Sequence, residues 1–366
     1  MMNDPAKHMS EFQIALNGFK KNRMAVVCLA VLGALYLSAI FADFLSPYSY
    51  GNEDRKYSYA PPTAVHIFSE GKLVRPYIHG IQSSFNEYHG RIFTEDKSVQ
   101  YPLRFFVPGD EYKLLGFIPC RYHLGGVESP GRLYLLGADA RGRDLFSRLL
   151  YGGRVSLSIG LIGVGISFFI GLLIGGTAGY YGGRIDNFLM RVCEMMMMVP
   201  GFYLLLALRA AVPDSFNSLQ VYFAIVVILA FIGWASLARI IRGMCLSLRE
   251  REYVLAARGI GLSDFKIITR HILPHTLSYS IFAIMLSVPG YILGESALSL
   301  IGLGIQDPFA SWGNLLSDAM SIVRIKFAPW ILWPAFLIFL TVICFNVIGD
   351  ALRDCLDPML KSERNT

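Results

Sequence analysis

Five stretches of this chain hold no charged residue over the length that carries a helix across a bilayer, about 20 residues. They are Met24 to Ala42, Val155 to Gly183, Leu219 to Ala238, Thr276 to Gly294 and Phe327 to Gly349. A helix bonds its own backbone, so such stretches enter hydrocarbon as helices, and the fold class expected is an all-α integral membrane protein. Composition agrees: 54% of the 366 residues are hydrophobic and 16% charged, less charge than a soluble domain of this size carries. The first stretch follows Lys20, Lys21 and Arg23. It is too long for a secretory signal and no small-x-small cleavage site follows it, so it is read as a retained span with a cytoplasmic N-terminus.

A sixth candidate is shorter. Between Glu194 and Arg209 only Met195 to Leu208 is free of charge, and Pro200-Gly201 interrupts it. Length alone suggests a half-span or buried helix. Sidedness decides otherwise, because Lys and Arg collect in cytoplasmic loops. If Phe188 to Ala211 crosses, the loop Val212 to Ser218, which has no basic residue, lies outside. Arg239, Arg242, Arg249, Arg251, Arg258, Lys266 and Arg270 then face the cytoplasm. The expected architecture is therefore six transmembrane helices, near residues 24–45, 155–181, 188–211, 219–241, 276–300 and 328–349, with both termini inside. Pro200 is expected to kink the third. Residues 1–23 and 351–366 become cytoplasmic segments; Arg324 and Lys326, set against Asp307 and Asp318 outside, are a mild exception. The net charge of +6 gathers near span ends and reads as orientation, not nucleic-acid binding. Gly171, Gly175 and Gly179 form a ladder on one face of the second span, where another helix can approach closely.

The polar segment 46–153 is too long for a simple loop. "AVHIFSEGKLVRPYIHG" alternates around Ser69-Glu70-Gly71 and predicts a β-hairpin, and "VQYPLRFFVPGDEYKLLGFIP" adds short strand-like runs. A small β-rich external domain between the first two spans is expected. His66, His79, His89 and His123 fall here, but no two share ligand spacing, so they are read as surface or core histidines and no metal site is expected. The six cysteines, Cys28, Cys120, Cys193, Cys245, Cys344 and Cys355, lack metal spacing too and read as apolar packing residues. The segment closes on "LLGADARGRDLFSRLLYGGRVSL". There Asp139 can cap a helix, Asp144 and Arg148 form an i,i+4 pair, and Leu145 and Leu149 share a face. An amphipathic helix at the external interface is expected, ending as the chain enters the second span at Arg154.

The loop 242–275 is unusually structured for a connection between spans. "EYVLAARGI", Glu252 to Ile260, is rich in helix formers and ends at Gly261. Ser263 offers an N-cap, and Asp264 suits the positive helix end. Phe265, Ile268 and Ile272 make an apolar stripe with Lys266 and Arg270 off it, and Leu273-Pro274 is expected to stop the second helix. Helix, glycine turn, helix gives a compact knob with a basic rim. It suits either a groove on a partner protein or a surface of anionic membrane lipid.

This loop resembles the signature of binding-protein-dependent ABC transporter permeases, E-A-A, three residues, G, nine residues, I, any, L-P. Ala256, Ala257, Gly261, Leu273 and Pro274 hold those positions; Leu255 replaces the glutamate and His271 the isoleucine. Glu252 and Tyr253 precede it. "GYYGGRID", "ESALSLIGLGIQDPFASWGNLLSDA" and "FNVIGDALRDCLDP" are similar to the C-type subunit of the peptide and nickel branch. The resemblance implies an inner-membrane permease core at 154–350. Its partners would be a homologous permease in a heterodimer, two ATP-binding subunits and an external solute-binding protein. It implies peptides as cargo, with nickel chelates or oligosaccharides behind, and a docking role for the loop. No G-x-x-x-x-G-K-[ST] occurs, so no cofactor is expected on this chain, and ATP and Mg²⁺ belong to the partner subunits. A membrane enzyme is disfavoured: no span contains a histidine, there is no G-x-S-x-G or H-E-x-x-H, and no catalytic residue is assigned. A stand-alone channel or secondary transporter would need no docking loop. Glu295, with Pro289 and Gly290 in the same span, is the candidate for the translocation path or gate, although pairing with a neighbouring helix suits a buried carboxylate equally.

Overall fold

The computed structural model describes residues 18–69, 72–85, 87, 91–213 and 215–356. Most of the N-terminal segment and C-terminal tail, the hairpin tip Glu70-Gly71 and His89 lie outside the described residues. In chain order the main elements begin with α1 (Arg23–Ile40), α2 (Ala42–Leu45), β1 (His66–Ser69), β2 (Lys72–Phe85), β3 (Arg91–Pro102), β4 (Arg104–Leu114) and β5 (Ile118–Gly126). Then come α3 (Leu145–Tyr181), α4 (Gly183–Met198), α5 (Gly201–Ala210), α6 (Ser218–Leu248), α7 (Glu252–Gly259), α8 (Asp264–Ile267) and α9 (Leu273–Leu300). Two short helices, α10 (Trp312–Leu316) and α11 (Ile322–Phe327), precede α12 (Trp333–Leu356).

Each of the five charge-free stretches lies largely within one long helix. Among the described residues, five helices are long and apolar enough to cross a membrane, or six when α4 and α5 count as one span. That pair is bent by 84°, far more than a kink. Pro200 lacks an amide hydrogen and its ring clashes with the preceding turn, and Val199 before it is extended (φ −76°, ψ 124°), so α4 ends and α5 restarts in a new direction.

The chain divides into two compact units, one comprising Ile159–Gly294 with the flanking segments up to Gly33 and from Phe339, the other Ala34–Ser158 and Glu295–Ile338. In the first, α6 is the most buried helix; Asn217 caps it in a reciprocal box with Gln220. The glycine ladder of α3 faces it. A Cβ on Gly171 would stand 3.0 Å from Leu237 Cβ, one on Gly175 would run into Ala238 O, and one on Gly179 would meet Cys245 Cβ at 2.5 Å.

In the second unit, β1, β2 and β3 form an antiparallel sheet in that order, and β4 pairs with β5. The hairpin lies where the alternation predicts, Ser69 opposite Lys72. Ile78, Val127 and Leu133 form a small core beside the first sheet. The separate amphipathic helix expected before Arg154 does not exist: α3 is one helix of 37 residues, about 55 Å long against about 30 Å of hydrocarbon. Leu145 and Leu149 are both buried at its start. No residue between Asp144 and Tyr181 breaks the helix, and uncharged Gly152-Gly153 continues it instead of turning it.

Candidate functional site

The loop after α6 is built as a knob with one buried side. Val254 and Ala257 of α7, Ile267 of α8 and Ile272 pack on Tyr180, Ile241 and Cys245. Gly261 turns the chain at φ +78°, a conformation only glycine adopts without strain, and Leu262 N–H closes the turn on Ala257 O at 3.2 Å. Ser263 stands at the N-cap of α8, but its side chain makes no cap bond. Asp264 instead accepts from Tyr180 OH at 2.6 Å, and Arg258 lies over the same ring, 5.2 Å from its centre.

Two expectations for the loop change. Leu273-Pro274 does not stop the helix: residues Ile268–Ile272 form a π turn, with Leu273 N–H donating to Ile268 O, and α9 follows directly. The wider turn passes the backbone into α9, where Pro274 sits in the first helical turn and its missing donor costs little. The π turn also shifts the phase of the stripe. Ile267 and Ile272 are buried, whereas Phe265 is 75% exposed. With Ile260 (78%) and Leu255 (47%) it leaves three large apolar side chains facing outward. Glu252, Tyr253, Ala256, Pro274, Arg251, Lys266 and Arg270 are exposed as well, and His271 is half-buried.

The "GYYGGRID" stretch supports this knob. Gly182 and Gly183 both have positive φ, 64° and 56°, and redirect the chain from α3 into α4. Asp186, in the first turn of α4, then receives both Arg242 Nε (2.7 Å) and Nη2 (2.5 Å). Sequence reasoning places Arg242 among the cytoplasmic cations and misses its partner; the available signal was Asp186 just after Gly182-Gly183, with an arginine inside a mostly apolar helix.

Glu295 lies in the other unit and is fully buried. Its Oε2 accepts from Ser156 Oγ at 3.0 Å and its Oε1 from Ser299 Oγ at 2.7 Å. Ser156 Oγ in turn accepts from Trp312 N–H (3.1 Å) and Ser299 Oγ from Ile305 N–H (3.2 Å). Trp312 Nε1 donates to Leu149 O at 3.0 Å. The carboxylate thus ties α9, α3 and the segment after α9 into one hydrogen-bonded knot. In α9, Pro289 is buried and Gly290 exposed, and a Cβ on Gly290 would meet nothing within 4 Å.

Close by in sequence to that knot, an arginine–carboxylate clasp forms. Asp139 Oδ1 accepts from Arg141 and Arg143 N–H (2.8 and 3.0 Å), and its Oδ2 from Arg143 Nε (2.7 Å). Arg148 Nε is 3.4 Å from Asp139. Asp307 joins Arg143 at 2.8 Å, Arg148 at 3.1 Å and Arg141 at 3.2 Å. Burial pushes the Asp307 carboxyl up, but the three arginines outweigh it and hold it below the usual range. The pairing expected of Asp144 and Arg148 gives way to this clasp. Asp144, not Asp139, caps α3, accepting from Ser147 N–H (2.8 Å) and Oγ (2.6 Å).

His79 and His123 are buried and His66 half-buried. His66 and His79 come together with Glu95 as a group able to hold a metal ion; spacing missed it because the three residues lie on different strands. His123 stands apart, held by the Asp43 and Asp110 carbonyls at 3.0 and 3.2 Å.

A family model described as "Binding-protein-dependent transport system inner membrane component" matches residues 171–362. A second, "N-terminal TM domain of oligopeptide transport permease C", matches residues 10–62. The chain is 32% identical over 353 residues to the dipeptide transport system permease protein DppC of Bacillus subtilis (strain 168), covering 96% of this chain and 87% of that one. It is 42% identical over 226 residues to the oligopeptide transport system permease protein OppC of Haemophilus influenzae, 62% of this chain and 70% of that one. With the glutathione transport system permease protein GsiD of Pectobacterium atrosepticum it shares 40% over 236 residues, 64% of this chain and 76% of that one. The first model takes in the glycine ladder, the Asp186–Arg242 pair, the knob and Glu295, and with that match this chain belongs to the inner membrane components of binding-protein-dependent transport systems.

Proposed function

We propose that this chain is the C-type permease subunit of an ATP-driven peptide importer. It crosses the membrane six times, with both termini in the cytoplasm and residues 46–153 outside. A homologous permease completes the path, two ATP-binding subunits supply ATP and Mg²⁺, and an external solute-binding protein delivers the cargo. The three relatives described above are named for dipeptides, oligopeptides and glutathione, which favours peptides.

The observation that carries the coupling is the outward set of Leu255, Ile260 and Phe265 on a knob whose other side is locked to the spans. Three large exposed apolar side chains within eleven residues, rimmed by Arg251, Lys266 and Arg270, fit a groove on an ATP-binding subunit. Glu252, one turn before Leu255, supplies a carboxylate on the exposed side of α7 where Leu255 has none. Glu295 belongs to the frame of the transporter, because both its oxygens are engaged by serines.

Gly261→Leu tests the docking role. A side chain at φ +78° disturbs the turn that presents Phe265, so cargo-stimulated ATP hydrolysis and labelled-peptide uptake should both collapse in the reconstituted transporter; normal uptake would sink it. Sidedness is checked with Ser263→Cys combined with Cys120→Ser, because Cys120 is a partly exposed free thiol in the external segment; a membrane-impermeant maleimide should leave this variant unmodified in intact cells. Glu295→Gln should leave uptake per assembled transporter unchanged, and a changed cargo preference would return Glu295 to the path.

A further inference from the structure

The sheet β1-β2-β3 carries little core of its own. Most side chains of β3 are exposed, and Ile78 is the fully buried residue of β2. On this thin sheet three potential metal ligands converge, one from each strand: His66 of β1, His79 of β2 and Glu95 of β3. One ligand atom from each lies within 4.8 Å of the other two. His66 Nε2 is 3.3 Å from Glu95 Oε2, close to the spacing of about 3.4 Å between two ligands on a tetrahedral ion with bonds near 2.1 Å.

The nitrogens are prepared for an ion. His66 Nε2 is buried with no hydrogen-bond partner, since its approach to Glu95 lacks the direction of one. His79 Nδ1 lies 3.3 Å from Val99 O. A carbonyl only accepts, so the proton is held on Nδ1 and the lone pair left on Nε2, as in histidines that ligate metal through the far nitrogen. The His66 and His79 rings stand 4.9 Å apart, and Tyr77 walls the cluster at 5.5 and 5.3 Å from them. His79 is buried while His66 and Glu95 are partly exposed, so an ion can enter from solvent.

We propose that His66, His79 and Glu95 form a binding site for a divalent first-row transition metal, with zinc the best fit. Two imidazoles and one carboxylate suit a borderline ion and not calcium or magnesium, which take oxygen ligands. The ion ties β1, β2 and β3 together where apolar packing is sparse, and a water completes a fourth position.

The test uses the untagged full-length chain in detergent, stripped with a chelator and titrated with zinc against a chromophoric competitor. One zinc per chain is expected, raising the melting temperature. Cobalt in its place should give visible bands of a site with nitrogen and oxygen ligands. Glu95→Gln, close in shape, should weaken zinc binding about tenfold or more while leaving the metal-free melting temperature unchanged, and His66→Ala with His79→Ala should abolish it. His271→Ala should bind as the parent chain does. Absence of stoichiometric zinc binding by the parent chain, or binding that survives the double histidine variant, overturns the site.

Discussion

Two buried clusters, one in each compact unit, are closed by opposite chemistry. Around the loop knob the sealed atoms are apolar: Val254, Ala257, Ile267 and Ile272 against Ile241 and Cys245, with α3 and α6 brought together over glycines. Around the clasp and the Glu295 knot of the other unit the sealed atoms are charged or hydroxylic: Asp139, Arg143, Arg148, Glu295, Ser156 and Ser299 are all buried. Apolar contacts are non-directional and re-form after a small slide. A buried ion pair has one good arrangement, because moving either member strands a charge. The comparison assigns compliance to the packing of the knob and fixed register to the clasp.

The largest effect should come from breaking the clasp. Asp139→Ala removes the carboxylate 2.7 Å from buried Arg143 and 3.4 Å from buried Arg148 and should cost about 3–5 kcal/mol, read as earlier unfolding in a detergent denaturation series. A loss under about 1 kcal/mol would erase the distinction between the units. Gly175→Leu comes next: the helix approach over Ala238 O has no room for a Cβ, and overpacking of this kind costs about 1–3 kcal/mol. Reduced transporter yield with the remaining molecules still coupled is the expected outcome.

A pH series sharpens the comparison by the smallest expected amount. Burial, aided by the neighbouring Asp139 charge, pushes the Asp144 carboxyl up to about 6, whereas in the unfolded chain it titrates near 3.9, about the model-peptide value. The folded state therefore holds the proton more tightly. That contribution is complete below the unfolded value and disappears as pH rises through about 6. Asp144→Asn keeps an N-cap oxygen but cannot titrate, so the parent chain should gain about 1 kcal/mol over it between pH 7 and pH 5. Asp307, held low, gives the opposite trend only at more acid pH, outside this window.

Much of the fold was legible because hydrocarbon thickness, strand alternation and helix pitch are written locally. Runs without charge marked the long helices, alternation around Ser69 marked the hairpin, and the spacing of Gly171, Gly175 and Gly179 marked the face turned to α6. The missed features join distant residues or depend on backbone detail. Arg148 meets Asp307 across 159 positions, and no local pattern announces such a partner. His66, His79 and Glu95 meet only because three strands pair with shifted register at His79. Pro274 was read as a stop, yet a π turn lets the backbone pass, and that same turn moved Phe265 from the inner face to the outer.

The π turn at Ile268–Ile272 has a mechanical corollary. Helical winding is unbroken from Asp264 into α9, so a twist applied at Phe265 travels inward along a stiff shaft that no slack coil can absorb. Rewinding that one turn to ordinary pitch by a single-residue slip would swing everything beyond it by about 100°, a large rotation for a small local adjustment.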